Sequence, residues 1–464
     1  MTSGSAFDVV VVGGGMAGLC CAGELVRQGA SVALIAETPE VAWNIRTKNV
    51  AGNVGWMQHP VWNAAWGGGY WFQLVRALGI PVQFEFTPPI TLILHGDSPA
   101  AGTTKLPFET SAPGLVDTLG LISPIPIDPV RDELVELFQA GLEMDFATLS
   151  AMAEVPLATW LAERKASPVA QAILFAMAGA WLFTTPDVGA EHISVFGLFG
   201  AVRIMQCAEA PVLTIKPDPW TGLALPIAAK IEALGGVIHR GTKVEQVLIE
   251  GDRATGVRLA DGRTVEGRAV AIAAGASRIP ALLDPMPEEV REAVDYARLL
   301  DLKEIDLFAV LREPVITVDT YTLVMDPANF KFLLYLSPLH ALGPWSTKPG
   351  KQFIIVEALM AVEEYDRLGG REAVLARTAD LLEELFPGYH DAVEATDVLV
   401  HRHLWQSSMT HGPKLPRRSA AVPGLYFVGD GSRPVLSIGI EYAAGAGILG
   451  AGDILADLRP AGRR

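Results

Sequence analysis

Three glycines near the N-terminus have the spacing of a phosphate-binding loop. The pattern G-x-G-x-x-G is formed by Gly13, Gly15 and Gly18, directly after a run of β-branched residues. In this pattern the first glycine allows a tight turn, the second lets the backbone approach a pyrophosphate, and the third lets a helix pack closely on the strand. The helix predicted to begin at Met16 and Ala17 would direct free N–H groups and a positive dipole toward the phosphates.

The elements around these glycines have the order of a βαβ unit. A buried strand is predicted at residues 7–12, a helix at residues 16–28, and a second strand at residues 31–36. Glu37 then follows the last glycine by about 20 residues, the distance at which an acid accepts hydrogen bonds from a ribose diol. The sequence therefore predicts a Rossmann-like dinucleotide-binding site.

Two later segments could complete such a site. After residue 220 the chain predicts a helix, a strand at residues 235–239 and a β-meander that ends at Ala274-Gly275. Near the C-terminus a buried strand ends in Gly429-Asp430, and a helix rich in small residues begins at Gly439. The sequence thus predicts one cofactor domain that is assembled from three distant segments.

Together these segments resemble the two-dinucleotide-binding-domain flavoproteins, in the branch that holds flavin amine oxidases and phytoene-desaturase-like dehydrogenases. The resemblance implies that the cofactor is FAD and that Asp430 bonds its ribityl chain. It also implies that the last helix points its N-terminus at the flavin N1–C2=O edge, where negative charge develops when hydride reaches N5. The other residues that the resemblance assigns to the cofactor are Val244 (at the adenine), Ala274, Gly275, Gly429, Gly439, Ile440 and Glu441.

Two stretches depart from the pattern of that family. The family usually carries Gly-Gly-Arg after the ribose acid, whereas here Arg46 is the residue that could serve the pyrophosphate. Flavin amine oxidases commonly place a lysine, bridged by water to flavin N5, on a strand that ends in a basic-Glu-Pro sequence. Counting back from Arg312-Glu313-Pro314 puts Asp306 at that position, and Lys303 would face the other side of the strand. We interpret Asp306 as a candidate base, with an exposed strand acid as the alternative.

Further catalytic candidates precede or follow the C-terminal Gly-Asp pair. His401 and His403 alternate with Trp405 on one predicted strand face and could handle protons or serve only as hydrogen-bonded structural groups. No third ligand accompanies the two histidines, so the sequence predicts no metal site. Tyr442 in the last helix is a further candidate.

Half of the ten tryptophans lie between residues 43 and 71, around three consecutive glycines. This clustering favours an aromatic wall over the flavin, although a packed core with a glycine turn is the alternative. The predicted pocket residues are Trp56, Trp66, Tyr70, Trp71, Trp181 and Trp405.

The predicted architecture is α/β plus α+β, with two domains that are each discontinuous in sequence. A Rossmann-like FAD-binding domain with a β-meander is assigned to residues 1–75, 220–290 and 395–464. A substrate domain, a mixed or antiparallel sheet with helices, is assigned to residues 76–219 and 291–394.

Composition limits the class of protein further. The chain has 464 residues, 50% of them hydrophobic and 19% charged, and its formal net charge is −16. Such a chain can bury a large core, and its charge argues against nucleic acid as a partner. Three cysteines cannot form a disulfide framework, so we expect a cytoplasmic protein, with Cys20 and Cys21 as buried structural thiols. No apolar stretch approaches the length of about 20 residues that a spanning helix needs, so any membrane contact would be peripheral.

These inferences predict an FAD-dependent dehydrogenase or desaturase. It would take hydride from a C–H bond of a mostly apolar, alicyclic or isoprenoid-like small substrate and pass electrons to a quinone, a carrier protein or oxygen. A flavin amine oxidase, a redox-neutral isomerase or hydratase, and a lipid-binding escort of the GDP-dissociation-inhibitor type remain as alternatives. The sequence identifies neither the substrate nor the oligomeric state.

Overall fold

The structure is a computed structural model that describes residues 7–56, 69–86, 91–96, 102–105, 109, 111–123, 125–182, 186–207, 213–329, 331–342, 346–403, 409–429, 431–432 and 439–459. Its strands are β1 (Phe7–Val12), β2 (Val32–Ile35), β3 (Thr47–Val50), β4 (Asn53–Trp56), β5 (Gln83–Phe86), β6 (Thr91–Leu94), β7 (Gly102–Lys105), β8 (Leu213–Lys216), β9 (Val237–His239), β10 (Val244–Glu250), β11 (Arg253–Leu259), β12 (Thr264–Ile272), β13 (Leu302–Leu311), β14 (Thr322–Asp326), β15 (Lys331–Pro338), β16 (Gln352–Ala361), β17 (Val393–His403) and β18 (Leu425–Phe427). Its helices are α1 (Met16–Arg27), α2 (Tyr70–Ala77), α3 (Ala112–Ile122), α4 (Arg131–Leu142), α5 (Phe146–Ala151), α6 (Leu157–Glu163), α7 (Pro168–Trp181), α8 (Pro186–His192), α9 (Val195–Cys207), α10 (Leu225–Ala233), α11 (Ile279–Leu282), α12 (Glu288–Leu299), α13 (Val362–Leu368), α14 (Arg371–Leu385), α15 (Tyr389–Ala392) and α16 (Gly439–Leu458).

The first sheet joins the three sequence segments that were predicted to form the cofactor domain. Its strand order is β10-β11-β12-β1-β2-β9, and β18 also pairs with β12. The pairs β12-β1, β1-β2, β2-β9 and β12-β18 are parallel, whereas β10, β11 and the first part of β12 form an antiparallel meander. Both faces of the parallel part are covered, so Val9, Val10 and Val11 are all fully buried. The predicted Rossmann-like sheet with a β-meander is confirmed.

Helix α1 packs against the C-terminal helix α16 on one face of this sheet. A side chain at Gly447 would overlap the backbone of Ala17, so the two helices approach as closely as their backbones allow. Cys20 and Cys21 lie fully buried in α1, as expected. Burial raises the pKa of both thiols, that of Cys21 to about 12, so neither ionises readily.

The second sheet has the order β17-β13-β16-β15-β14-β6-β7 and is antiparallel except between β14 and β6. On one face Leu307 and Leu311 of β13 pack with Leu382 of α14. On the other face Phe308 packs with Phe353 and with residues of β3 and the loop after β15. This sheet, with helices on one face, matches the predicted substrate domain. Strand β17 belongs to it, although the sequence placed the domain boundary at residue 395.

The hairpin β3-β4 connects the two sheets. It leaves the first sheet after β2 and lies on the second sheet, where the Lys48 ammonium is 3.0 Å from the Asp397 carboxylate. Val54 N–H donates to the carbonyl of Ser346 over 2.8 Å, and a side chain at Gly55 would overlap Phe353. The face of the second sheet that carries Phe308 is therefore the face turned toward the cofactor segments.

Helices α3 to α7 and α9 share a hydrophobic cluster with residues of β6 and β14, and in this cluster Phe199 contacts Phe138 and Trp160. Within the described ranges, no helix is both long and apolar enough to cross a membrane.

Candidate functional site

The glycine loop between β1 and α1 has the geometry that a phosphate-binding loop requires. Gly13 has φ of 118°, and a side chain there would come within 2.8 Å of the Ala273 carbonyl oxygen at the end of β12. A side chain at Gly18 would overlap the Gly13 carbonyl group. Both positions therefore require glycine for reasons of backbone packing.

Gly15 differs from these two glycines because nothing lies within 4 Å of the place where its side chain would be. It is the N-cap of α1, whose first turn carries no acidic residue. The first N–H groups of that turn, at Met16 and Ala17, have no partner within the helix and lie at the positive end of its dipole. These residues fit the pyrophosphate of a dinucleotide such as FAD.

Two charged residues that the sequence assigned to the cofactor make ion pairs at the surface. The Glu37 carboxylate is 2.8 Å from the guanidinium of Arg278, which follows Ala274-Gly275. The Arg46 guanidinium is 2.6 Å from the carboxylate of Glu40. Each pair is partly exposed, and their contacts with ribose and pyrophosphate stay predictions.

The N-terminus of α16 meets the N-terminus of α2 through one buried acid. The Glu441 carboxylate accepts hydrogen bonds from the backbone N–H groups of Tyr70 and Trp71, the latter over 3.2 Å. Burial raises the pKa of Glu441 to about 7, while those two hydrogen bonds oppose the shift. In the described residues Glu441 thus caps the neighbouring helix, a role that the sequence did not predict.

Tyr442 and the loop that precedes α16 are also connected. The Tyr442 hydroxyl donates to the Ser432 carbonyl oxygen over 2.8 Å, and the side chain is buried. This bond links Ser432 to the last helix. Gly439 and Ile440 begin α16 as predicted, whereas Asp430 lies outside the described residues.

The predicted aromatic wall can be followed only in part. Trp71 is 0% exposed and packs in the core with Leu74 and Ile215, which favours the alternative of a packed core. Tyr70 is half-buried at the start of α2. Trp66 and Trp405 lie outside the described residues, as do the side chains of Trp56 in β4 and Trp181 in α7.

Asp306 is buried on the face of the second sheet that is turned toward the cofactor segments. Its exposure is 0%, so the alternative of an exposed strand acid is wrong. It shares that face with Phe308, while the Lys303 ammonium lies on the opposite face, 5.6 Å from the ring centroid of Tyr365. The prediction that Asp306 and Lys303 face opposite sides of the strand is thereby confirmed.

Two further carboxyl groups lie beside Asp306, and the sequence analysis did not predict them as site residues. Glu304 is two residues earlier in β13, and Glu357 of β16 is paired directly with Asp306. Their exposures are 0% and 1%. We call Glu304, Asp306 and Glu357 the carboxyl cluster. The sequence feature that could have predicted this cluster is an acid in the middle of each of two hydrophobic strands. It indicates a cluster only when β13 and β16 are known to pair.

Two buried tyrosines adjoin the carboxyl cluster, Tyr335 directly opposite Glu357 and Tyr321 before β14. Burial raises the pKa of both phenols, and nearby carboxylates add to the shift. Burial also raises the pKa of Glu304 to about 8, although a hydrogen bond with Asp306 opposes the shift, and it raises that of Glu357 well above its ordinary value. Near neutral pH the cluster therefore holds protons.

The two candidate histidines lie on β17, where His401 is paired with Glu304 and His403 with Leu302. The predicted alternation thus places both positions on the face of the carboxyl cluster, while their side chains lie outside the described part of the chain. In that part, no group of three or more histidine, cysteine or acidic side chains is arranged to hold a metal ion.

Known proteins resemble the chain along most of its length. A family model described as FAD dependent oxidoreductase matches residues 8–106, and one described as flavin containing amine oxidoreductase matches residues 127–455. No curated protein matches the chain in sequence.

Solved structures share the fold. An oxidoreductase from Methanosarcina mazei is 18% identical, with 97% of this chain and 99% of that chain covered and a TM-score of 0.70. Cyclohexylamine oxidase from Brevibacterium oxydans is 17% identical, with 98% and 99% covered and a TM-score of 0.58. Wild-type putrescine oxidase bound to putrescine is 17% identical, with 97% and 99% covered and a TM-score of 0.57.

Proposed function

Because the chain belongs to the family of flavin-containing amine oxidoreductases, we propose that it is a dehydrogenase or desaturase that removes hydride from a C–H bond. It is an FAD-dependent oxidoreductase, and bound FAD supplies the hydride acceptor. The observation that carries the finer proposal is Asp306, a buried carboxyl group at the position where the resemblance expects a lysine. A carboxylate there can accept the proton that a substrate loses when a double bond forms.

Apolar side chains beside the carboxyl cluster favour a mostly apolar substrate, of alicyclic or isoprenoid type. Phe308, Val310 and Phe353 are fully buried on the same face of the sheet. Such side chains exclude water, so the site would act mainly by orienting the C–H bond of the substrate. We further propose that electrons leave to a quinone, a carrier protein or oxygen.

The visible spectrum of the purified protein under anaerobic conditions tests this function. Oxidised-flavin bands should bleach on addition of an apolar ketone or terpenoid, and should stay unchanged with compounds of other classes. Bands that persist with every compound would contradict the proposal and favour a redox-neutral isomerase or hydratase. A colourless protein that cannot be reconstituted with FAD would leave the lipid-binding escort as the remaining alternative.

A flavin amine oxidase is the second candidate. The carboxyl cluster favours it, since buried carboxyl groups can ionise to pair with a substrate ammonium group. Putrescine oxidase and cyclohexylamine oxidase have the same fold as this chain. Bleaching by amines alone would establish this candidate in place of the first.

A further inference from the structure

One ion pair joins the segments that follow the two neighbours of β1. In the first sheet β1 is paired with β12 along one edge and with β2 along the other, and all three strands are parallel. Glu37 follows the end of β2, and Arg278 ends a short helical turn, Ala276–Arg278, that comes after β12. The Arg278 guanidinium donates a hydrogen bond to the Glu37 carboxylate over 2.8 Å. The pair therefore spans the end of β1, where the glycine loop begins.

Both ends of this ion pair belong to segments that pack closely on the glycine loop. A side chain at Gly14 would come within 2.6 Å of the Ala36 side chain, and Ala36 directly precedes Glu37. A side chain on the first glycine of the loop would come within 2.8 Å of the Ala273 carbonyl oxygen, at the start of the segment that leads to Arg278. The packing on both sides therefore holds the two charged residues beside the loop.

The ion pair affects both the orientation and the charge of Glu37. The hydrogen bond occupies one carboxylate oxygen, Oε2. A carboxylate accepts at both oxygens, so Oε1 can accept from the ribose diol that the sequence assigns to this residue. The loop is predicted to bind an anionic diphosphate, and the chain has a formal net charge of −16. A carboxylate beside that loop repels the diphosphate unless a cation compensates it, and Arg278 supplies that cation.

We propose that Arg278 is a positioning residue for FAD, which orients Glu37 toward the adenosine ribose and compensates its negative charge beside the diphosphate. Arginine suits this role because its planar guanidinium holds a carboxylate in a defined orientation. Arg278 acts through Glu37, so its effect on binding requires the acid to be present. The proposal rests on FAD binding and on the predicted contact of Glu37 with the ribose, and it does not depend on the substrate.

FAD titration of the apoprotein tests this dependence in wild type, R278Q, E37Q and the double variant E37Q/R278Q. We expect R278Q alone to weaken FAD binding about fivefold or more, because Glu37 then loses both its hydrogen bond and its compensating charge. In the E37Q background the same substitution should change the dissociation constant by less than about twofold, since the two residues act together. Equal losses in both backgrounds, or no loss in R278Q, would overturn the proposal.

R291Q is the matched control, because Arg291 pairs with Glu288 at the surface of α12 over 3.3 Å. This substitution removes the same charge from a similar ion pair, so FAD binding should stay at the wild-type value. Both apoproteins should unfold at the wild-type urea concentration, because partly exposed ion pairs contribute little stability. A loss of FAD binding that R291Q shares would assign the effect to overall charge and contradict the role of Arg278.

ADP and 2′-deoxy-ADP test whether the effect lies at the ribose. Wild-type apoprotein should bind ADP more tightly, since the deoxy compound lacks one hydroxyl group of the diol. R278Q should narrow this preference and R291Q should keep it. The preference depends on the orientation of Glu37, and it would not change if Arg278 only stabilised the fold. An unchanged preference in R278Q, or no preference in wild type, would overturn the positioning role.

Discussion

At the scale of single residues, the substitution of lysine by an acid at position 306 changes what the site can do with protons. We expect D306N to lower the rate of anaerobic flavin bleaching by about 100-fold or more, the size of a general-base contribution. The variant should retain its FAD, since Asp306 lies in the second sheet. E394Q is a suitable control, because Glu394 lies on the neighbouring strand but pairs with Lys351 at the surface. A D306N variant as fast as wild type would exclude Asp306 as the base.

Glu441 gives a prediction about stability and pH. Its folded pKa of about 7 exceeds the ordinary value of 4.5, so the folded state binds this proton more tightly than the unfolded state does. The stability from this group is complete below about pH 4.5 and is lost as pH rises through 7, by about 3 kcal/mol at most. Urea unfolding of E441Q, which does not titrate, should therefore show a smaller fall between pH 4.5 and 8 than wild type. Equal falls in the two proteins would contradict the assignment.

Some single residues of the site could be predicted from the sequence and others could not. Gly13, Gly15 and Gly18 could be predicted because their roles depend on backbone geometry within one short loop. Glu304 and Glu357 could not, since an acid in a strand is exposed or buried according to what covers its face. Only the pairing of β13 with β16 brings those carboxyl groups together.

Among the structural elements, the glycine loop contains one glycine that is needed for packing and another that is needed for binding. G18A would place a methyl group against the Gly13 carbonyl and should cost about 1–3 kcal/mol of stability or more. G15A faces open space and should leave the unfolding of the apoprotein nearly unchanged while weakening FAD binding at least tenfold, because the methyl group occupies the place of the phosphates. Urea unfolding and FAD titration of both variants distinguish the two effects. Tight FAD binding by G15A would show that the phosphates lie elsewhere.

The strands and helices of the cofactor segments follow closely from sequence. The predicted strand at residues 7–12 has the same bounds in the structure, and the last helix begins at Gly439 as predicted. In contrast, the beginning of β13 at Leu302 does not follow from hydrophobicity. Its first four residues include a lysine and an acid, and hydrophobicity alone would assign these residues to a loop.

At the scale of the whole molecule, the β3-β4 hairpin makes the two sheets depend on each other. Phe353 of the second sheet packs beneath Gly55 and beside Phe308, so F353A should lower the free energy of unfolding by about 3–5 kcal/mol. We expect FAD release, followed by flavin fluorescence, to shift to lower urea together with the far-UV circular dichroism transition. Release of FAD without any shift in the variant would indicate that the sheets unfold independently.

The longest strand of the first sheet has a consequence for how the protein is made. On β12 the N-terminal strand β1 pairs along one edge and the late strand β18 along the other. Until residues 425–427 leave the ribosome, that second edge of β12 has exposed N–H and C=O groups that can pair with another chain. A ribosome-bound chain that stops before Leu425 is therefore expected to retain no FAD and to need a chaperone over that edge. Cofactor uptake is therefore expected only after β18 has been synthesised, although the loop that binds the phosphates is made long before it.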